Sequence, residues 1–301
     1  MLERAVNLEE GIWRIREIKG VITKILSFEH YVFGEDGKTY LCRLRGKQRL
    51  KGEVYVGDRV EFSLSGKYGN VEKILPRKNA LIRPYVSNVD VALIVIAGLP
   101  EPDFLMVDKL IATCMKNDVE PVIVINKDDS NSSDFVDLVE REYGEYFKIL
   151  KVSAKEGKGI DKITEYMDNK TVCLCGQSAV GKTTLVNALT GGERETGGMS
   201  KINRGRNTTR HIESYRVGNG FLVDTCGFSL LELEGVDERE LANLYPEFDE
   251  YRGECKFNTC THVSEPVCGV KKGVSENKIP KGRYERYIII FNELKQKGGR
   301  Y

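Results

Sequence analysis

A glycine-rich stretch near the middle of the chain has the residue types of a loop that binds phosphate. Residues 172–189 read VCLCGQSAVGKTTLVNAL and contain the pattern G-x-x-x-x-G-K-[ST] between an apolar run and a helical repeat. Glycines let backbone N–H groups surround a polyphosphate, a helix N-terminus favours negative charge, Lys182 supplies a cation, and the Thr183 hydroxyl can ligate Mg²⁺. The stretch therefore predicts a polyphosphate site with magnesium. The residues predicted to line it are Gly176, Gln177, Ser178, Ala179, Val180, Gly181, Lys182, Thr183 and Thr184.

A second pattern, N-K-x-D, follows the apolar run PVIVI and comprises Asn126, Lys127 and Asp129. Open α/β sheets bind ligands beyond the carboxyl ends of their strands. The Asp129 carboxylate can accept hydrogen bonds from both N1–H and the exocyclic amine of guanine, whereas adenine offers no matching pair of donors. The pattern therefore predicts a guanine nucleotide. After the next predicted strand, backbone N–H groups can meet the guanine O6 atom in the segment Ser153, Ala154 and Lys155.

A third pattern, D-x-x-G, follows the predicted strand 220–223. In this spacing Asp224 holds Mg²⁺ through water and the Gly227 amide senses a γ-phosphate. Thr208 and Thr209 precede it and can supply a second hydroxyl to Mg²⁺. They follow a polar, glycine-rich segment that we expect to be mobile unless a ligand orders it, which is a known switching device.

A cysteine-rich pattern near the C-terminus predicts one structural zinc ion. It reads C-x₄-C-x-H-x₅-C and consists of Cys255, Cys260, His262 and Cys268. Three thiolates and one imidazole complete a tetrahedral Zn²⁺ site and leave no position for a substrate. Buried free cysteines are the alternative, which is disfavoured because three of the eight cysteines and one of the three histidines fall in this short stretch.

Composition sets limits on the kind of protein. A chain of 301 residues has room for two or three domains, and its 46 Lys and Arg nearly balance its 45 Asp and Glu. Global charge therefore gives no argument for a nucleic-acid partner. No signal-peptide core is visible, and no run approaches the roughly 20 apolar residues of a membrane span. We expect a cytoplasmic protein without a membrane partner.

The sequence predicts a multidomain fold. Short strands without a helical period predict an N-terminal barrel of the OB type, with an SH3-like barrel as the alternative. The run 41–51, LCRLRGKQRLK, has five cations and no acid, and is either a phosphate-binding edge or a solvated strand and loop. From Val89 onward, apolar strands alternate with helical patterns, which predicts a mostly parallel sheet covered by helices. Residues 128–134 are predicted to be a loop.

Beyond Leu230 the sequence turns acidic and helical and ends in a basic amphipathic helix, whose apolar stripe we expect to pack on the chain's own core. The predicted domains are a barrel (1–78), an α/β nucleotide-binding domain (79–235) and a mostly helical zinc-binding domain (236–301).

The order of the nucleotide patterns is rotated. In Ras-like GTPases the phosphate loop comes first and N-K-x-D and S-A-K come last, whereas here N-K-x-D and S-A-K precede the phosphate loop. The α/β domain is therefore predicted to be circularly permuted. This order also places D-x-x-G at the carboxyl end of the domain, so its nucleotide-dependent switch leads directly into the terminal domain.

With these features, the sequence resembles the RsgA/YjeQ family of circularly permuted GTPases. The likeness is carried by CRLRGK (42–47), VGDRVEF (56–62), GRNTTRH (205–211), the rotated patterns and the cysteine–histidine pattern. The resemblance implies a P-loop GTPase that uses Mg²⁺ and zinc, hydrolyses GTP to GDP, and is stimulated by the small ribosomal subunit during late maturation. It also implies contact with ribosomal RNA. We expect the chain to be a monomer.

Two positions depart from expectation. Phe228 stands after D-x-x-G, where many GTPases place a glutamine that orients water, and Asn207 stands where many relatives carry a histidine suspected of assisting hydrolysis. Asparagine can orient water but cannot act as a base near neutral pH, so Asn207 is only a candidate catalytic residue. Two alternatives are a P-loop kinase or ATPase, which N-K-x-D disfavours, and an RNA-binding assembly module that binds GTP but scarcely hydrolyses it.

Overall fold

The structure is a computed structural model, and it describes residues 17–44, 53–81, 85–192, 212–225, 233 and 235–298. The chain divides into two compact units, residues 1–77 and 78–301. Each unit is described on its own. Within the second unit, the boundary between a nucleotide-binding domain and a terminal domain at residue 235 stays a prediction.

The first unit is a five-stranded barrel. Its strands are β1 (Ile18–Leu26), β2 (Glu29–Gly34), β3 (Thr39–Leu44), β4 (Arg59–Ser65) and β5 (Tyr68–Ile74). The pairing order is β1-β2-β3-β5-β4, and β4 pairs back with β1 to close the barrel. All neighbours are antiparallel except β3 and β5, which are parallel. Alternate side chains point inward, as the strand period requires, and the buried core comprises Ile22, Val32, Cys42, Val60, Phe62 and Val71. The predicted OB-like barrel is confirmed.

The second unit is built on a six-stranded sheet, in the order β10-β9-β8-β11-β13-β12. Its strands are β8 (Val91–Ile96), β9 (Glu120–Ile125), β10 (Lys148–Lys151), β11 (Thr171–Cys175), β12 (Ile212–Val217) and β13 (Gly220–Thr225), and a separate hairpin pairs β6 (Ala80–Leu81) with β7 (Val86–Ser87). The first five strands of the order are parallel, and β12 is antiparallel to β13 at the edge. Every residue of β8 is buried, as expected of a central strand covered on both faces.

Six α-helices of the second unit lie among the described residues. They are α1 (Phe104–Lys116), α2 (Ser133–Tyr143), α3 (Ile160–Tyr166), α4 (Lys182–Leu189), α5 (Gly269–Ser275) and α6 (Lys281–Gly298). The loop predicted over 128–134 is two residues too long, because α2 begins at Ser133, where the Ser132 side chain accepts a hydrogen bond from the Phe135 N–H group. None of the described helices is long and apolar enough to span a membrane.

The acidic segment that follows Leu230 is helical, as predicted, but its described helices before α5 are short and of the 3₁₀ type. It forms three 3₁₀ helices at Leu241–Leu244, Pro246–Phe248 and Arg252–Glu254. Pro246 has no N–H group to donate to a preceding turn, so an α-helix cannot continue through it. The short turns bring Tyr245 and Phe248 against Tyr287 of α6, with ring centroids 5.1 and 5.0 Å apart, so the apolar stripe of α6 packs on the chain's own core.

A buried ionic network joins α1 to α6. The carboxylate of Asp108, fully buried on α1, accepts hydrogen bonds from Arg283 and Arg286, each 2.6 Å long. Arg283 also donates to Glu247 at 2.7 Å, and Arg286 donates to Glu142 at 2.6 Å. Charges removed from water this completely are stable only when they are paired, so removal of one partner leaves uncompensated charge in the interior.

We therefore predict that Arg283→Met lowers the free energy of unfolding of the second unit by about 3–5 kcal/mol. The matched control is Lys116→Ala, which breaks the exposed ion pair of Lys116 with Glu240 (2.7 Å) and should change stability little. Urea unfolding followed by circular dichroism measures both. A loss for Arg283→Met no greater than that for the control would contradict the importance of this network.

Candidate nucleotide and metal sites

The predicted phosphate loop connects β11 to α4, and its two glycines are required by geometry. Gly176 has φ of +127° and Gly181 has φ of +96°, in the region that glycine favours. A Cβ atom on Gly176 would overlap the Val95 carbonyl oxygen, and one on Gly181 would overlap the Asn126 amide nitrogen. Glycine therefore lets the loop pack directly on β8 and on the N-K-x-D segment.

Asn126 links three predicted nucleotide segments. Its side-chain amide donates to the Val180 carbonyl oxygen of the phosphate loop at 2.8 Å, and its side-chain oxygen accepts from the Ala154 N–H group at 3.0 Å. The residue is buried, so these hydrogen bonds are shielded from water. The structure thus brings N-K-x-D, S-A-K and the phosphate loop together, although they are far apart in the chain.

Lys127 also contacts the phosphate loop. Its ammonium group donates to the Ala179 carbonyl oxygen at 3.0 Å and to the Leu99 carbonyl oxygen at 2.8 Å. Lys127 and Ala179 both have left-handed backbone conformations, with φ of +60° and +64°. Such conformations cost energy in residues other than glycine and are found where surrounding contacts enforce them, often at functional sites.

Asp129 presents an ionised carboxylate at the rim of the same region. A hydrogen bond from the Ser153 hydroxyl, 2.6 Å long, lowers the pKa of Asp129 below its usual value. An ionised carboxylate only accepts hydrogen bonds, so the free oxygen suits a ligand with neighbouring N–H donors. Lys155 is exposed beside it.

Lys182 lies within the phosphate loop. Its ammonium group donates to the carbonyl oxygens of Gly176 and Gln177 at 2.7 and 2.6 Å. Burial lowers the pKa of Lys182, against opposing influences from Cys175 and Asp224. A half-buried cation at the start of a helix is placed to attract phosphate oxygens. The neighbouring loop and helix residues Ser178, Thr183 and Thr184 are at least partly exposed.

The two side chains predicted to hold magnesium are Thr183, directly, and Asp224, through water. Thr183 lies in the first turn of α4, which follows β11 and the phosphate loop, and Asp224 lies near the end of β13, which pairs with β11. Hydroxyl and carboxylate oxygens suit Mg²⁺, so these residues fit a magnesium ion beside bound phosphates. The predicted residues Asn207, Thr208, Thr209, Gly227 and Phe228 lie outside the described residues.

Asn131 is a residue of this region that the sequence did not single out. Its side-chain oxygen accepts from the Gly98 N–H group at 2.8 Å, and its amide donates to the Asn126 carbonyl oxygen at 2.9 Å. Its position two residues after Asp129 could have indicated a role in this region. It was not predicted because the polar, low-complexity segment DDSNSSD is typical of an exposed loop.

The four residues of the cysteine–histidine pattern converge, with all ligand atoms within 4.8 Å of one another. The Nδ1 atom of His262 is 3.6 Å from the sulfur of Cys255 and 3.4 Å from that of Cys268, and these two sulfurs are 3.9 Å apart. A tetrahedral zinc site with ordinary bond lengths places its ligand atoms about 3.5–3.8 Å apart. The cluster, which Cys260 completes, therefore fits one zinc ion.

The loop that carries this cluster is held by groups around it. Glu265 accepts hydrogen bonds from the backbone N–H groups of Thr261 and Val263. Burial alone would raise the pKa of Glu265, but these hydrogen bonds lower it to about 2. From α6, Tyr284 and Tyr287 donate to backbone carbonyl oxygens of the same loop at 2.8 and 2.6 Å. A bound zinc ion would therefore cross-link a loop that is already positioned by α6.

Known proteins resemble the chain over nearly its whole length. A family model described as RsgA GTPase matches residues 74–234, and one described as RsgA N-terminal domain matches residues 19–69. A protein named small ribosomal subunit biogenesis GTPase RsgA from Thermotoga neapolitana is 40% identical, over 88% of this chain and 92% of the relative. A protein of the same name from Clostridium kluyveri is also 40% identical, over 93% of this chain and 99% of the relative.

Two solved structures have a similar fold. One is the crystal structure of YjeQ from Thermotoga maritima, with a TM-score of 0.80 and 37% identity over 93% of this chain and 99% of that chain. The other, described as YloQ, a circularly permuted GTPase, has a TM-score of 0.81 and 29% identity over 97% of this chain and 100% of that chain. The rotated order of segments is therefore accompanied by the fold of a permuted GTPase.

The geometry of the cysteine–histidine cluster predicts that Cys260→Ser lowers the zinc content well below one ion per chain, because a hydroxyl group is a far poorer zinc ligand than a thiolate. The matched control is Cys114→Ala, a buried cysteine of α1 outside the cluster, which should retain one zinc ion. Elemental analysis of the purified proteins measures both. Equal zinc content in the two variants would refute the assignment.

Proposed function

The chain belongs to the RsgA GTPase family, and from this membership and the site geometry we propose that it hydrolyses GTP to GDP and phosphate in the late maturation of the small ribosomal subunit. The observation that best supports guanine chemistry is the pair of hydrogen bonds by which Asn126 joins the phosphate loop to the S-A-K segment. These bonds tie the segment that carries Asp129 to the loop that carries Lys182, which supports a single site for the base and the phosphates. The relatives' name supports the ribosomal partner.

In the proposed complex, Asp129 reads the N1–H and amine edge of guanine. Ser153 positions that carboxylate by donating to it at 2.6 Å. The Ala154 N–H group donates to Asn126, so the Lys155 N–H group is the one proposed to meet the O6 atom. Lys127 braces the phosphate loop next to the nucleoside. A competing adenine offers no matching pair of N–H donors to the ionised Asp129 carboxylate, and this is the proposed physical source of specificity.

The residues from Gly176 to Thr184 are proposed to bind the phosphates and to stabilise the charge that develops on them during hydrolysis. Charge develops on the β- and γ-phosphate oxygens during transfer to water, and fixed N–H dipoles with the Lys182 ammonium stabilise it. The Lys182 ammonium donates to two carbonyl oxygens of the phosphate loop itself. It can therefore donate to the oxygens of a phosphate bound in that loop with only a small movement.

Thr183 and Asp224 would hold Mg²⁺, with Thr208 or Thr209 as a further hydroxyl, and the ion when bound would neutralise phosphate charge. The Gly227 amide is proposed to contact the γ-phosphate. Phe228 cannot orient the attacking water, so that role falls to Asn207 or to a group that the ribosomal subunit supplies.

The outer domains are proposed to meet the ribosome. On the barrel, the Arg43 guanidinium lies 4.2 Å from the ring centre of Tyr68, which is partly exposed, and a stacked cation and aromatic ring are typical of a surface that binds single-stranded nucleic acid. We propose contact with ribosomal RNA there, a zinc-stabilised terminal domain, and a monomer that acts in the cytoplasm with its subunit.

The proposed activity is tested by single-turnover hydrolysis of GTP with and without purified small subunits. We expect slow intrinsic hydrolysis that rises on the order of a hundredfold or more, since a supplied group that orients water or stabilises charge has effects of this size or larger. Large subunits serve as the control for nonspecific stimulation, and Lys182→Ala measures contaminating hydrolysis. Equal rates with and without small subunits would refute the coupling. GTP binding without hydrolysis under every condition would favour the assembly-module alternative.

The base assignment is tested by Asp129→Asn. Asparagine keeps one acceptor oxygen but presents an amide donor where the carboxylate had its second oxygen, so one of the two guanine donors is left unpaired and GTP affinity should fall by about a hundredfold or more. Xanthosine triphosphate, whose C2 carbonyl can accept from the new amide, should bind the variant better than the wild type. Competition against a fluorescent GDP analogue measures both ligands. Unchanged GTP affinity would mean that another group reads the base.

A further inference from the structure

The loop between β8 and α1, residues 97–103, lies against both nucleotide segments and is fastened at two points. Asn131 accepts from the Gly98 N–H group at 2.8 Å. At the other end, the Gln177 side chain accepts from the Asp103 N–H group and donates to the Glu101 carbonyl oxygen, both at 3.1 Å. These side chains belong to the segment after N-K-x-D and to the phosphate loop, so the loop bridges the two.

Leu99 lies between the hydrogen-bonded residues Gly98 and Glu101. Its carbonyl oxygen accepts the Lys127 ammonium at 2.8 Å, and the same ammonium reaches Ala179 in the phosphate loop at 3.0 Å. The backbone of Leu99 is therefore one hydrogen bond from the lysine that joins the base-reading and phosphate-binding segments. Its side chain is 75% exposed.

A single exposed leucine is ordinary on a protein surface, so exposure alone decides nothing. The position of Leu99 is informative because of what the proposed site lacks. Asp129 and the S-A-K backbone contact the polar edge of guanine in the proposed complex, whereas the faces of the base and ribose need apolar contact. Such contact is a general feature of small-molecule sites, which combine apolar walls with a few polar groups. An apolar side chain beside Lys127 meets that need.

We propose that the Leu99 side chain packs against the nucleoside of the bound guanine nucleotide, and that Asn131 is a positioning residue that holds Leu99 there. This inference rests on the proposed function, since it needs a guanine nucleotide at the site. Asn131 acts through the loop: it fixes Gly98, the residue before Leu99, to the carbonyl of Asn126.

The test of the contact is Leu99→Ala, with Leu99→Met as the conservative variant. Loss of partial leucine burial predicts GDP binding about five- to tenfold weaker for alanine and near wild type for methionine. The matched control is Ile289→Ala, another exposed aliphatic residue (46%) on α6, which should bind GDP as the wild type does. Displacement of a fluorescent GDP analogue gives the dissociation constants.

Inosine diphosphate separates direct contact from distortion of the site. It lacks the exocyclic amine that Asp129 reads, and Leu99 is proposed to touch a face of the nucleoside and not that edge. The ratio of GDP to inosine diphosphate affinity should therefore be unchanged by Leu99→Ala. An unchanged GDP affinity, within twofold, overturns the contact, and so does a changed ratio, which would indicate that Asp129 or Asn126 had moved.

The positioning role of Asn131 is tested by a double-mutant cycle. Asn131→Ala should weaken GDP binding in the wild type but add less than twofold to Leu99→Ala, because the leucine it positions is already gone. Full additivity overturns the positioning role. Failure of the wild-type chain to bind any guanine nucleotide would instead overturn the proposed function, so the two failures are distinguishable.

Discussion

The nucleotide site depends on one buried side chain, the amide of Asn126. Its two hydrogen bonds, to Val180 and Ala154, are made in a region closed to water, where an unmade hydrogen bond costs more than a formed one contributes. Gly181 must be glycine because the same amide occupies the space of its Cβ atom. The geometry of the phosphate loop and that of the N-K-x-D segment are therefore fixed together, although the two segments are far apart in the chain.

Because the nucleotide patterns occur in a rotated order, the D-x-x-G segment is followed in the chain by the terminal region. Leu233 and Val236, soon after D-x-x-G, are buried in the apolar cluster of the terminal region, and Ala112 of α1 belongs to the same cluster. Asp108, one turn earlier on α1, holds Arg283 and Arg286 of α6. A nucleotide-dependent shift near Asp224 would therefore be close in sequence to a core that includes α1. The cysteine–histidine cluster is held to α6 by hydrogen bonds from Tyr284 and Tyr287.

Much of this was predictable from sequence because it depends on local pattern. The phosphate loop, the strands that precede each polar segment, the barrel and the cysteine–histidine cluster all have characteristic spacing. The network of Asp108 with Arg283 was not predictable, because its partners are 175 positions apart and each looks like an ordinary surface charge. Asn131 was missed because its role lies in a contact with Gly98 that only the folded loop creates. The helical character of the acidic segment beyond Leu230 was predicted, but its division into short 3₁₀ helices, one of which begins at Pro246, was not.

We propose that N-K-x-D and the phosphate loop form a single site that binds guanine nucleotides. The most direct measurement is titration calorimetry of the whole chain with GDP, repeated in the presence of excess ADP. One GDP should bind per chain, and ADP should bind more weakly by about 10⁴ or more, since adenine offers no pair of donors to the Asp129 carboxylate. Equal competition by ADP would contradict this proposal and favour the kinase or ATPase alternative.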